Sequence, residues 1–277
     1  MQYVAVHFTN SFAEEFMTDL FIASLAELGF ESFEDNLTAY IPEPNFSREK
    51  LDNLINTFPY KGAKMSAIEL IADHDWNEEW ERNYFKPIII ADKCVIHSSF
   101  HNDIPSMPYD IIIDPRMAFG TGHHATTSLI INTLLDMDLK HKKVLDMGCG
   151  TAVLAILASM RGAEHVTAID IDDRCTDNAM TNIKLNNITN VTVELGDANL
   201  LEGRHFDLII ANINRNILLM DIPAYTACLD NGGQLIISGF YTDDVQILEH
   251  KLQECHAKIE EIRERDNWAM VRAIKHE

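Results

Sequence analysis

The stretch Val144-Leu145-Asp146-Met147-Gly148-Cys149-Gly150-Thr151 constrains the fold more than any other part of this chain. An apolar strand runs into Gly-x-Gly and then into an apolar helix, Val153-Leu154-Ala155-Ile156-Leu157-Ala158. A second strand, Val166-Thr167-Ala168-Ile169, ends in Asp170, about 20 residues beyond the glycines. That spacing describes a nucleotide-type ligand lying across the carboxyl ends of two parallel strands. Gly148 and Gly150 let the backbone approach the ligand, and Asp170 accepts its ribose hydroxyls. A dinucleotide fingerprint would place a third glycine at Val153, and a P-loop would end in Gly-Lys-Ser/Thr; neither is present. With no pyrophosphate cradle, the pattern fits a nucleoside ligand without phosphates, for which S-adenosylmethionine is the candidate. The alternative is a tight strand-to-helix turn that binds nothing.

At 277 residues the chain has room for one large domain or two ordinary ones. No apolar run approaches the roughly 18 residues of a membrane span, and the first residues lack a basic signal-peptide start, so no membrane partner and a cytoplasmic location are expected. Cys94, Cys149, Cys175, Cys228 and Cys255 are scattered without a CxxC pair and read as reduced thiols. His123-His124 lies in a glycine-rich turn without HxxxH or HExxH spacing, so no metal is expected. The formal net charge of −21 repels nucleic-acid phosphates and attracts a lysine-rich protein, although good solvation alone would also account for it.

The first seventy residues read as a β-α-β-β-α-β unit. Tyr3–Phe8 alternates like a strand, and Ser11-Phe12-Ala13-Glu14 is a capping box for a helix bearing Phe16, Leu20, Ala23 and Glu27, with Gly29 at its end. Phe30–Glu34 and Asn36–Ile41 form a hairpin, Ser47 caps a second helix, and Lys64–Ile71 closes the unit. The order matches the ferredoxin-like split β-α-β arrangement, a common platform for binding macromolecules. Residues 73–86 then turn charged and aromatic. Trp76, Trp80 and Tyr84 recur every four residues, as a connector helix or as a linker whose rings set interdomain geometry. From Pro87 onward strands and helices alternate: strands at 87–90, 95–97, 110–114, 143–147, 166–170, 191–195, 207–212, 234–238 and 268–274, with helices such as 177–186 and 243–255 between them. Such alternation predicts a mostly parallel sheet covered on both faces. The expected organisation is therefore α/β: a ferredoxin-like substrate-recognition domain over 1–72, a linker helix over 73–87, and a Rossmann-like doubly wound cofactor-binding domain over 88–277.

Two further motifs flank the proposed ligand. Asp114 to Thr127, Asp-Pro-Arg-Met-Ala-Phe-Gly-Thr-Gly-His-His-Ala-Thr-Thr, lies between a strand and an apolar helix expected to begin near Ser128. Thr126 or Thr127 can cap that helix, where backbone amides suit a carboxylate, and Phe119 can pack on the ligand or shield the methyl from water. The strand Asp207–Asn212 ends in a neutral amide at the sheet's switch-point edge. Methyl transfer is an in-line displacement on a reactive sulfonium, so the protein mainly positions and desolvates a deprotonated nucleophile. Asn212 can hold an amine in line there. Ile213-Asn214-Arg215 stands where enzymes of planar nitrogens often carry Pro-Pro-aromatic, which favours a tetrahedral amine. Asp197 reads either as a partner of the adenine amino group or as a solvated loop acid.

Taken together, Asp-Pro-x-x-Ala-Phe-Gly-Thr-Gly-x-His-x-Thr-Thr, Asp-x-Gly-Cys-Gly-Thr and Ala-Asn-Ile resemble the bacterial ribosomal protein L-eleven methyltransferase (PrmA-type) family. The Asp-Trp-x-x-x-Trp segment is similar to that family's linker. The resemblance covers essentially the whole chain, most weakly over its first seventy residues. It implies a class I S-adenosylmethionine-dependent methyltransferase that trimethylates lysine side chains and the terminal amine of one large-subunit ribosomal protein, recognised through the amino-terminal domain and presented by an interdomain hinge. By motif position, Thr127, Gly148, Asp170 and Asn212 would contact the cofactor, with Gly150 and Phe119 beside them. Arg116 and Ala152 stand where the family usually has glycine. A monomer is expected. The rivals are methylation of another basic protein or a small amine, and a non-catalytic cofactor-binding assembly factor, which would have no need of a shielded methyl. A dehydrogenase lacks its glycine at Val153 and any nicotinamide signal.

Overall fold

The computed structural model describes residues 3–10, 12, 15–33, 37–71, 86–114, 122 and 124–276. The chain forms two compact units, Met1–Trp76 and Asn77–Glu277.

The first unit comprises β1 (Tyr3–Asn10), α1 (Glu15–Glu27), β2 (Ser32–Phe33), β3 (Thr38–Pro42), α2 (Arg48–Thr57) and β4 (Ala63–Ile71). Its antiparallel sheet runs β2-β3-β1-β4, the ferredoxin-like order. Phe21 packs edge-on against Phe8 and Phe58, with ring centroids 5.4 and 5.1 Å apart, and these rings tie both helices to the sheet. The stripe that α1 buries passes through Phe21 and Leu25, not through Leu20, which is exposed. Ser47 caps α2, its hydroxyl accepting from Lys50 N at 3.4 Å. The capping box 11–14 and the aromatic segment with Trp76, Trp80 and Tyr84 lie outside the described residues.

The second unit starts with a small sheet of β5 (Ile88–Ile90), β6 (Cys94–His97) and β7 (Tyr109–Ile112), in that order, with β5 antiparallel and β7 parallel to β6. There follow α3 (Ala125–Asp136), β8 (Lys143–Met147), α4 (Val153–Met160), β9 (His165–Asp170), α5 (Asp173–Leu185), β10 (Val191–Leu195), β11 (Phe206–Asn212), α6 (Arg215–Cys228), β12 (Leu229–Tyr241), α7 (Val245–Glu254), β13 (Ala257–Arg265) and β14 (Trp268–Lys275). The seven-stranded sheet runs β10-β9-β8-β11-β12-β14-β13. Strands β10 to β12 are parallel, and β14 is antiparallel to both neighbours.

Residue alternation explains why the central strands read as unbroken apolar runs. Val144, Leu208, Ile210 and Ile236 enter the core shared with α3, α4, α5 and the small sheet. Leu145, Met147, Ile209, Ala211, Leu235 and Ile237 enter the core beneath α6 and α7. Both faces are covered, so these strands read as near-continuous apolar runs, interrupted in β8 by the buried Asp146. The order reverses between β8 and β11, and that switch point opens a crevice at the carboxyl ends of the strands. Strand β13 has no counterpart in the sequence reading. Its part-buried positions after Ile259 are the charged Glu261 and Arg263, so no apolar alternation marks it, and its charges suit an exposed sheet edge. No helix among the described residues is long and apolar enough to cross a membrane.

Candidate active site

The turn after β8 is held by the next strand. Gly148 N and Cys149 N both donate to Ile169 O, at 2.8 and 3.0 Å, and Gly150 N donates to Asp170 Oδ2 at 2.9 Å. Gly148 has φ 71°, and a Cβ there would stand 2.4 Å from Ile213 Cγ2, so the turn can form only around glycine. Asp170 Oδ1 accepts from Asp172 N at 3.0 Å. Two backbone amides thus fix this buried carboxylate, and each oxygen keeps a lone pair for a further donor. Cys149 is buried and its thiol is pushed well above the usual range by desolvation, so it stays protonated and inert.

Helix α4 begins without a side-chain cap, because its N-cap residue is Ala152. Asp146, at the end of β8, supplies the missing acceptor: its Oδ2 takes the Ala155 N–H, the third amide of the helix, at 3.0 Å. Asp146 is fully buried. Desolvation pushes its carboxyl up to about 7, against the Ala155 hydrogen bond and helped by the nearby Asp170 charge.

Ala152 itself is buried in the left-handed region, at φ 63° and ψ 20°. Relieving that strain returns about 1–2 kcal/mol. Removing the methyl loses about 0.8 kcal/mol of burial, and glycine's extra chain entropy costs about 0.5–1 kcal/mol. Ala152→Gly should therefore melt within a few degrees of the parent. Ala152→Val, β-branched in a left-handed conformation and overpacked, should lose more than about 2 kcal/mol. Thermal melts of the two variants check this ordering.

Just past β9 and at the last residue of β10 the chain exposes two large apolar side chains, Ile171 at 77% and Leu195 at 57%. With Asp172, Asp173 and Arg174 they line an open cavity of about 620 Å³ beside Asp170. An apolar shelf next to a ribose-type acid has the chemistry of an adenine site. Neither residue was singled out as a site residue by sequence, because a lone apolar residue at or just after a strand end carries no periodic signal. Asp197 caps the 198–201 turn, its Oδ1 accepting from Asn199 N at 2.9 Å.

At the other side of the switch point, Asn212 Nδ2 donates to Thr127 Oγ1 at 3.3 Å. Sequence separates these two residues by 85 positions, and the fold joins them. Helix α3 starts at Ala125 rather than near Ser128, and His124 caps it in place of Thr126 or Thr127, its Nδ1 accepting from Thr126 N at 3.4 Å. Both threonines sit buried in the first turn. An imidazole is an unusual cap, which hid this start from the sequence. The His124 ring also meets Trp268 edge-on at 4.7 Å, and Trp268 lies against the exposed Tyr241 ring at 4.3 Å. These rings, where β14 begins and β12 ends, escaped the sequence reading because two aromatics 27 residues apart become neighbours only through strand pairing. Arg116, Phe119 and His123 lie outside the described residues. Among the described residues no cluster of His, Cys, Asp or Glu could hold a metal ion.

The glycine turn, the fixed acid, the apolar shelf and the strand-end amide fit S-adenosylmethionine. The Asp170 carboxylate suits ribose hydroxyls, and the chain stays close to the turn where Gly148 lacks a Cβ. A seven-stranded sheet of this order with such an edge defines a class I S-adenosylmethionine-dependent methyltransferase. The family model described as ribosomal protein L11 methyltransferase (PrmA) matches residues 13–276, and the chain belongs to that family. Proteins named ribosomal protein L11 methyltransferase from Phocaeicola vulgatus and Porphyromonas gingivalis are 52% and 49% identical. These alignments cover 99% of both chains in the first case, and 98% of this chain and 97% of the other in the second. The crystal structure of a ribosomal protein L11 methylase from Lactobacillus delbrueckii subsp. bulgaricus superposes with a TM-score of 0.65 at 30% identity, over 69% of this chain and 99% of that one.

Proposed function

We propose that this methyltransferase acts on ribosomal protein L11, trimethylating lysine side chains and the terminal amine, as a monomer in the cytoplasm. What carries the reading is the reach of the similarity: relatives named for that substrate align over nearly the entire chain, the first seventy residues included. In this reading the unit over residues 1–72 recognises the ribosomal protein, and 73–87 links it to the catalytic unit. When bound, the cofactor supplies an electrophilic methyl on a sulfonium. Asp170 would hold the ribose, Ile171 and Leu195 would offer apolar surface to the adenine, and the Gly148–Gly150 turn would face the methionine end. Thr127 orients the Asn212 amide through the 3.3 Å bond, which leaves the amide oxygen to accept an N–H of the attacking amine and aim its lone pair. The Tyr241 and Trp268 faces attract an ammonium arriving at the same edge. Intact mass of ribosomal proteins tests the proposal. L11 from a strain lacking this chain should be lighter by a multiple of three methyl groups and should regain that mass on treatment with enzyme and S-adenosylmethionine. Unchanged L11 would reject the substrate.

A further inference from the structure

Helix α5 and its C-cap residue present three asparagines, Asn178, Asn182 and Asn186, to the free edge of β7 and its continuation. Asn186 Oδ1 accepts from Ile112 N at 2.9 Å while its Nδ2 donates to Ile112 O at 2.7 Å. Two residues along, Asn182 Oδ1 accepts from Asp114 N at 3.0 Å and Asn178 Nδ2 donates to Asp114 O at 2.7 Å. The match is metric. Four residues of helix rise about 6 Å, and two residues of strand advance about 6.6 Å. Three amides at i, i+4 and i+8 therefore imitate a neighbouring strand and satisfy an edge that β6 cannot reach. Ile113 N, on the opposite edge, bonds to His97 O at 2.8 Å.

Asn182 does one thing the other two do not. Its Nδ2 also donates to Thr151 O, the end of the glycine turn, at 3.0 Å, and to Asn178 Oδ1 at 3.1 Å. The carboxamide is fully buried and uses both donors and its oxygen. We infer that Asn182 is a positioning residue that fixes the spacing between the cofactor turn and the strand from which the Asp114–Thr127 motif departs. It touches neither cofactor nor amine. Its effect passes through the Thr151 carbonyl on one side and the Asp114 amide on the other, and so couples the two halves of the site.

The inference rests on the cofactor lying against the glycine turn, and the experiment separates the two ideas. Asn186→Ala removes a rung of the same ladder without touching the turn and serves as the structural control. Calorimetry with S-adenosylmethionine should show Asn182→Ala binding at least tenfold more weakly, with Asn186→Ala within threefold of wild type although both lower the melting temperature. Equal losses, or an unchanged Kd in Asn182→Ala, would overturn the coupling. Asp170→Asn is run in parallel: if it leaves Kd unchanged, the placement of the cofactor fails; if it weakens binding while Asn182→Ala does not, only the coupling fails. Should Asn182→Ala not fold, Asn182→Asp keeps the acceptor for Asp114 N and lacks a donor to Thr151 O until it is protonated. Its affinity relative to wild type should recover as pH falls from 8 to 6, and a pH-independent ratio would overturn the proposal.

Discussion

Asp146→Asn should raise the thermal stability of this protein at pH 8 and leave it nearly unchanged at pH 4. Burial lifts the Asp146 carboxyl from 3.8 to about 7, so the folded chain holds a proton that the unfolded chain has released. Between those values the native state binds more protons than the unfolded state, and stability falls as pH rises. The contribution is intact below pH 3.8 and has been lost once pH passes about 7. A shift of about 3 units at about 1.36 kcal/mol each sets a ceiling near 4 kcal/mol for the loss. Asparagine has the same shape, cannot ionise, and keeps an oxygen for the Ala155 N–H. Its melting temperature should exceed that of wild type by several degrees at pH 8, and the gap should close through pH 7 to 5. Parallel melting curves across that range would show that Asp146 ionises freely in the fold.

The same residue shows what sequence can and cannot convey. Asp146 was visible as the first letter of Asp-x-Gly-x-Gly, but its work as a remote cap for α4 was not, because that depends on Ala152 being unable to cap. The glycine turn, Asp170 and Asn212 stood out because few residue types tolerate a left-handed turn or end a buried strand with a polar group, whereas Thr127 was marked only by motif position and as a helix cap, a place that His124 takes. The central strands were legible because burial on both faces leaves continuous apolar runs. Three kinds of feature stayed hidden. The asparagine stripe of α5 looks like an ordinary polar helix face until the β7 edge stands opposite it. Ile171 and Leu195 gain meaning only from their shared position at adjacent strand ends. Strand β13 keeps alternating in burial, but Glu261 and Arg263 occupy its part-buried positions, so no apolar period shows in its sequence.

Gly239→Ala should abolish most activity, although Gly239 has no place among the motifs. The residue sits where β12 slips its register against β14, between Ser238 and Phe240, with φ 97°. A Cβ there would lie 2.3 Å from Ile213 O, 2.8 Å from Ile213 C and 3.1 Å from Ile213 N. All three are backbone atoms, so no rotamer change relieves the contact. Ile213 follows Asn212 directly and is pinned on its other side, its N donating to Ser238 O at 3.2 Å and its side chain filling the space above Gly148. The chain must move, and the strand-end amide moves with it. A displacement near 1 Å costs on the order of a hundredfold in rate when alignment sets the barrier. Left-handed strain alone contributes about 1–2 kcal/mol, and Gly203→Ala isolates that part, since Gly203 has φ 73° and nothing within 4 Å of its would-be Cβ. Gly203→Ala should lose a little stability and keep its turnover. Gly239→Ala should lose more than about 3 kcal/mol and at least a hundredfold in kcat, with cofactor affinity reduced through the crowded Gly148 turn. If both variants turn over alike, the close approach of β12 to Ile213 does not position Asn212.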